Sequence, residues 1–289
     1  MLMRPALPAV DRPLPLQQSP EFARALALLG RDARIDALQG CGHVLVVTRR
    51  IGVLGDLRFA SRGPLFHADA TDDDRVAALR AARLHVLNAE ETDPTDLRRA
   101  GFVQVLSGAT VAVLRLNATD GDPLTLAQGK WRNAARQGDR AGLRIRQRLL
   151  CPDRDGWLLE ADLAQQRSKR FRALPHAVTL AYGRANPGDA VILTASEGAA
   201  PVAAMIFLRH GAAATYQIGW SGPRGRRLRA HHALLVEACR RFAAMGVQEI
   251  DLGTIDTEAG PGLARFKLGS GATARRLGGT WVRLPGWRG

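Results

Sequence analysis

Alternation constrains this chain most. Short β-branched runs trade places with segments of helical periodicity along its whole length, and such a chain folds into layered α/β structure. Residues 43–48 (HVLVVT) and 110–116 (TVAVLRL) read as strands, 49–59 as a turn and a further strand, and 84–88 as another. Ser19-Pro20-Glu21 starts a helix. Ser19 caps it, Pro20 fits the first turn, and Phe22, Ala25, Leu26 and Leu29 follow at helical spacing up to Gly30. Residues 71–83 form a helix opening on Asp72, Asp73 and Asp74, where acids suit the positive end of the peptide dipoles. A short helix at 96–100 ends at Gly101.

The second half repeats the pattern. It predicts a helix over 123–137 closed by Gly138, a strand at 143–148, a helix at 155–168, and three strands at 190–196, 202–209 and 212–219. A long helix follows over 228–245, with Leu234, Leu235, Ala238, Phe242 and Met245 on one face and Gly246 as its stop. Strands at 249–252 and 280–284 complete it. Two halves with one alternation predict an α/β chain of two domains, 1–117 and 118–289, each a copy of one small fold.

Composition excludes several other classes. At 46% hydrophobic and 24% charged residues, the chain is not of disordered type. Its three cysteines, Cys41, Cys151 and Cys239, do not make a disulfide framework, and no Cys or His spacing predicts a metal. No apolar run approaches the ~20 residues of a membrane helix, and the N-terminal segment lacks the hydrophobic stretch of a signal peptide. These features predict a cytoplasmic protein with reduced thiols.

Charge narrows the function. Lysine and arginine number 41 against 27 acids, a net of +14, and only Lys130, Lys169 and Lys267 are lysines. Residues 1–115 hold 15 arginines and 13 acids (+2), whereas 116–289 hold 26 cations and 14 acids (+12). A codon preference for arginine would not separate net charge this way. The basic half predicts a polyanionic partner.

Two motifs lie in that half. In the first, the strand ending YQIGW runs into SGPRGRRLRA and then the long helix. Glycine, arginine and free helix-terminal amides together favour phosphate or carboxylate. Arg224, Arg226, Arg227 and Arg229 are its cations. The second is DLGTIDTEAGPGLARFKLGSGA over 251–272.

The first arrangement resembles the GNAT acyltransferase core, although Leu228 stands where the GNAT pyrophosphate loop carries its central glycine. The second resembles the Fem-type (FemAB-like) aminoacyltransferases of the GNAT superfamily. The shared landmarks are Asp251-Leu252-Gly253, Gly260-Pro261-Gly262, Arg265-Phe266-Lys267 and Gly269/Gly271. Gly129-Lys130-Trp131-Arg132-Asn133, Gly142-Leu143-Arg144-Ile145, Ser19-Pro20-Glu21-Phe22 and Arg62-Gly63-Pro64-Leu65 extend the likeness over nearly the whole chain.

The resemblance implies two tandem GNAT-like domains with mixed sheets and flanking helices. It implies transfer of an aminoacyl group from aminoacyl-tRNA to an amine on a peptidoglycan precursor or peptide, without cofactor or metal. Lys267 would stabilise the oxyanion and Phe266 would shape the site. Arg224, Arg226, Arg227, Arg229 and Arg265 would hold the donor's phosphates, and Arg170, Tyr216 and Asp251 the acceptor. Asp251 and Asp256 are the candidate bases, with substrate-assisted proton transfer as the alternative. His231 and His232 read as exposed polar residues. The chain is expected to act as a monomer with at most peripheral membrane contact, on an acceptor that is nucleotide- or lipid-linked. Two alternatives stay open: an acyl-CoA-dependent N-acyltransferase in an envelope, polysaccharide or natural-product pathway, and a non-catalytic scaffold that binds RNA or a nucleotide.

Overall fold

Ser19 starts the first helix as its sequence suggests: its Oγ accepts a 3.1 Å hydrogen bond from the Phe22 amide. The computed structural model describes residues 13–91, 94–116, 122–169 and 173–283. Helix α1 (Pro20–Leu28) leads into strands β1 (Asp32–Ala37), β2 (Gly42–Arg50), β3 (Asp56–Ser61) and β4 (Leu65–Phe66). Helix α2 (Asp72–Ala81) then carries the chain to β5 (Val86–Ala89), α3 (Thr95–Arg99) and β6 (Val103–Leu106). Thr71 and Asp74 close a reciprocal capping box at the start of α2, because each side chain takes an amide the helix leaves unpaired.

Next come β7 (Thr110–Arg115), α4 (Gly129–Arg140), β8 (Arg144–Leu149), α5 (Pro152–Lys169) and α6 (His176–Ala185). Strands β9 (Ala190–Glu197), β10 (Ala200–His210) and β11 (Ala213–Ser221) follow. Helices α7 (Pro223–Arg227) and α8 (Ala230–Ala244) lead to β12 (Glu249–Ile255) and α9 (Pro261–Gly269). The described chain closes with β13 (Thr273–Arg276) and β14 (Gly279–Val282).

Among the described residues, the strands form two mixed sheets. One runs β1-β2-β3-β5-β14-β6 with β4 on β2; the other runs β13-β7-β12-β11-β10-β9-β8. Each contains a parallel pair, β3 with β5 and β11 with β12, and a helix connects each pair as a parallel register requires. The α/β class with two mixed sheets and flanking helices is thus as expected.

The boundary between units differs from the expected 117/118. One compact unit ends at Ala109 and resumes at Arg276, while Thr110–Arg275 forms the other. Strand β7 pairs with β12, and β14 returns to the first sheet between β5 and β6. Backbone pairing, not chain position, decides which sheet owns a strand. Trp281 on β14 anchors that return, buried among Leu79, Leu84, Leu87 and Phe102.

Strand β10 carries the core of the second unit. Residues 202–208 are buried on both faces, which an alternating half-exposed strand would not allow. Met205 and Phe207 pack in one core with Leu234, Leu235 and Phe242 of α8. Ala204, Ile206 and Leu208 point the other way and are equally buried.

Two local expectations are corrected. The helix expected at 123–137 begins at Gly129 and ends at Arg140, so Gly138 lies inside it. A Cβ on Gly138 would sit 2.7 Å from the Arg229 carbonyl oxygen, so its bareness lets α4 cross close to the start of α8. The Gly/Arg segment is not an open loop: residues 223–227 wind into α7, and Arg229 takes a left-handed φ of 56° before α8. Among the described residues no helix is long and apolar enough to cross a membrane.

Candidate active site

The site forms where two parallel strands part. Strands β11 and β12 pair at Ala213↔Glu249, Ala214↔Ile250 and Thr215↔Asp251 and no further. From there each is displaced against its other neighbour. Gln217 is an extra residue in β11 relative to β10, since Tyr216 pairs with Phe207 and Ile218 with Ile206. Strand β12 shifts register against β7 between Asp251 and Thr254, around Gly253 at φ 77°. Such bulges bend a strand and re-aim its side chains. Asp251 holds the second bend, its Oδ1 accepting a 2.7 Å bond from the Gly253 amide.

A cleft of about 650 Å³ opens between the parted strands. Its walls come from β11, the Leu252–Thr254 stretch of β12, α5, α7, the start of α8, and α9.

Lys267 lies in this cleft, on α9, and is only 5% exposed. Its Nζ donates a 2.8 Å hydrogen bond to the carbonyl of Thr254. Burial pushes the ammonium pKa down to about 8, against a smaller opposing pull from the Asp251 carboxylate. Phe266 beside it packs against the rings of Trp131, His231 and His232, the last edge-on with centroids 5.2 Å apart. Lysine and phenylalanine thus both line the cleft, as the Arg-Phe-Lys motif led us to expect.

His231 and His232 correct the expectation of exposed polar residues. Both line the cleft and both are partly buried. The Nε2 of His231 lies 2.9 Å from the Trp220 carbonyl, which can only accept, so that nitrogen carries the proton. Burial pushes each imidazole down to about 4, with nearby cations adding to it, so both are neutral at physiological pH. Helical spacing places both in the first turn of α8, but it does not show that this turn meets the cleft.

The five arginines expected to bind phosphate divide. Arg226 and Arg229 line the cleft, with Arg226 donating through Nη1 to the Ser221 carbonyl at 2.7 Å. Arg224 is engaged elsewhere, in a two-point pair with Glu197 at 2.8 and 2.5 Å. Arg227 is exposed and outside the cleft lining, and Arg265 lines a separate hollow of about 250 Å³ beside Gln128 and Thr257. The winding of α7 explains this, because a helical turn distributes consecutive side chains around an axis where a loop could have gathered them. Gly225 holds α7 against β10: a Cβ there would lie 2.1 Å from the Val202 carbonyl oxygen.

Of the expected acceptor residues, Tyr216 lines the cleft with its ring on Phe207, centroids 5.6 Å apart. Asp251 is buried behind the wall, where it shapes the bend and acts on Lys267. Arg170 lies outside the described residues. Three further wall residues lie on α5, Asp162, Gln165 and Lys169, and of these Asp162 escaped the sequence reading. Asp162 did leave a signal. It completes the helical series Asp155, Leu158, Leu159, Asp162, the face that α5 buries, and an acid on such a face is rare unless a partner or a ligand satisfies it. Two of the three lysines in the chain, Lys169 and Lys267, line this one cleft.

The cleft can therefore neutralise anionic groups at Arg226, Arg229 and Lys169 and stabilise developing negative charge at Lys267. Comparison with known proteins agrees with a transferase architecture. Residues 128–268 match the family described as acetyltransferase (GNAT) domain. No curated protein matches the chain by sequence. Among solved structures, the crystal structure of FemX superposes with a TM-score of 0.74 at 14% identity, covering 92% of this chain and 91% of that one. L-PGS from Bacillus licheniformis gives 0.57 at 14% identity, with 90% and 86% covered. The C-terminal domain of a putative lysylphosphatidylglycerol synthetase from Agrobacterium fabrum gives 0.55 at 15% identity, with 93% and 89% covered. The chain therefore has the fold of FemX, and its residues 128–268 match the GNAT acetyltransferase domain family.

Proposed function

We propose that this protein is an N-acyltransferase that moves an aminoacyl group from aminoacyl-tRNA to a primary amine on a peptidoglycan precursor or peptide. The observation that carries this reading is Lys267: a buried ammonium, anchored by one hydrogen bond, with Phe266 beside it, in a cleft whose rim is cationic. The amine nitrogen attacks the ester carbonyl, and negative charge builds on its oxygen. Lys267 retains N–H groups beyond the one given to Thr254 and directs them at that oxygen. A preorganised donor in a water-poor site lowers such a barrier by about 3–4 kcal/mol. The C–N bond forms, the bond between the acyl carbon and the ribose oxygen breaks, and the proton lost by the amine passes to the departing ribose oxygen. Arg226, Arg229 and Lys169 hold the phosphates of the donor end. The reaction takes place in the cytoplasm, where charged tRNA is found.

A donor panel of labelled aminoacyl-tRNAs and acyl-CoAs, with an envelope extract as acceptor, tests the reading. Transfer from aminoacyl-tRNA is expected, with affinity falling steeply as salt rises, as phosphate contacts require. Transfer from acyl-CoA alone overturns it.

The acyl-CoA reading has one observation of its own. Arg226 and Arg229 meet the cleft beside the N-terminus of α8, the kind of place where a helix end accepts a pyrophosphate. Thermal stabilisation by CoA would favour it. A scaffold without activity would show no turnover with any donor and no effect of Lys267→Ala.

A further inference from the structure

Among the described residues that line the cleft, Asp162 is the single carboxylate, in a set that includes Lys169 on the same helix and Arg226, Arg229 and Lys267 elsewhere on the lining. It is 4% exposed. The Nε2 of Gln166 donates to its Oδ2 at 2.6 Å, and the Nε2 of His176 contacts the same oxygen at 2.8 Å. A carboxylate oxygen only accepts, so that imidazole nitrogen carries its proton. The other oxygen, Oδ1, receives no hydrogen bond from the described residues.

Tyr216 belongs to the same wall. Its phenol is buried, and burial and then the nearby Asp162 carboxylate both push its pKa upward, so it stays a neutral hydroxyl. Gly219 leaves the space this hydroxyl fills: a Cβ at 219 would lie 1.5 Å from Tyr216 Oη. Two oxygen acceptors, one of them charged, therefore border the same end of the cleft.

Burying a carboxylate costs several kcal/mol unless donors satisfy it, and here they satisfy one oxygen of two. The remaining oxygen suits a cationic donor that arrives with the ligand. An anionic group is repelled there and drawn to the arginine rim, so the cleft sorts the two ends of a substrate by charge.

We infer that Asp162 Oδ1 and the Tyr216 hydroxyl form a subsite for a primary ammonium group of the substrate. This rests on the reading of the cleft as the acyl-transfer site. Two substrate groups share that chemistry: the α-ammonium of an aminoacyl donor, and the acceptor amine before it loses its proton.

The test measures binding by calorimetry to wild-type protein, Asp162→Asn and Tyr216→Phe, each checked for native fold by circular dichroism. Puromycin, an aminoacyl-nucleoside with a free α-amine, and N-acetylpuromycin probe the donor source. L-alaninamide and N-acetyl-L-alaninamide probe the acceptor source. In one arm the wild type is expected to prefer the free amine by roughly tenfold or more, the scale of a hydrogen bond to a charged partner. Asp162→Asn abolishes that preference, and Tyr216→Phe reduces it. Equal binding of free and acetylated probes by the wild type in both arms overturns the subsite. So does a preference that survives Asp162→Asn. If Asp162→Asn does not fold, the wild-type preference and its reduction in Tyr216→Phe decide. Should the donor panel show acyl-CoA use alone, an alaninamide preference still upholds the subsite while the tRNA reading fails. Transfer from aminoacyl-tRNA with no amine preference in either arm sinks the subsite and leaves that reading standing.

Discussion

Lys267 is tied to the bent strand at the cleft wall: its Nζ donates to the Thr254 carbonyl at 2.8 Å. The bond fixes where the ammonium sits, and burial decides when it is charged. With the pKa lowered to about 8, the charged form that the proposed oxyanion role requires fades at mildly alkaline pH. The rate should level off below pH 8 and fall about tenfold per unit above it. Lys267→Arg keeps a charge through that range and should retain a flat, if lower, alkaline profile. Lys267→Ala should lower kcat by about 10²–10³ at neutral pH. Stability moves the opposite way. The unfolded chain holds this proton up to about 10.5, so it binds more protons than the native state between 8 and 10.5, and the group's contribution to stability rises with pH across that window. An alkaline limb unchanged in Lys267→Arg would remove the lysine from the chemistry.

His232 sits between the rings of Trp131 and Phe266, with centroids 5.0 and 5.2 Å away, and burial pushes its pKa to about 4. An unfolded imidazole titrates near 6.5, so the unfolded state takes up the proton first as pH falls. Stability from this group is full above about 6.5 and declines towards 4. His232→Phe preserves the ring contacts and removes the titration. Thermal melts at pH 7 and pH 5 should differ less for this variant than for the wild type. His231, lowered to about 4 as well, keeps its own share of the acid sensitivity in the variant.

Legibility tracked how local the signal was. Ser19, the acids after Thr71, the apolar face of the helix at 230–244 and the β-branched run at 110–115 each carry their structure in a few neighbouring residues, and each formed as expected. Strands β1, β6 and β13 were missed because they are largely exposed and carry no apolar run, while α6 lacks a strong cap. The Arg-Phe-Lys motif led to the cleft because its neighbours are contiguous. Asp162, His231 and Tyr216 meet there from α5, α8 and β11, and no spacing along the chain encodes that meeting. The arginines show the reverse failure: adjacency from 224 to 229 suggested one site, and a helical turn separated them.

Asp155 offers a stability test away from the cleft. It is fully buried at the start of α5, where it accepts from Arg148 Nη2 at 2.7 Å, from the Cys151 amide at 2.9 Å and from Arg154. Burial raises its pKa, but these donors outweigh it and hold the carboxyl below the usual aspartate range. Its stabilising contribution is therefore present at neutral pH and lost as pH falls through the acid range. Asp155→Ala should cost about 2–4 kcal/mol, below the top of the range for buried pairs because Arg148 is partly exposed. Urea unfolding at pH 7 measures this, and a loss under about 0.5 kcal/mol would mean the pair is no better than a surface one.

Gly138 and Gly129 give a matched pair on one helix. Both lie on α4, where alanine is intrinsically the better helix former by up to about 1 kcal/mol. A Cβ at 129 meets nothing within 4 Å, so Gly129→Ala should be neutral or slightly stabilising. At 138 the same atom would come 2.7 Å from the Arg229 carbonyl oxygen and 3.2 Å from Ala233 Cβ. Neither contact is the free end of a flexible side chain, so α4 and α8 must separate. Gly138→Ala should lose about 1–3 kcal/mol despite its propensity gain. Because Arg229 also lines the cleft, the displacement should raise KM for the donor more than it changes kcat. Equal melting temperatures for the two variants would show that the helix crossing has slack at Arg229.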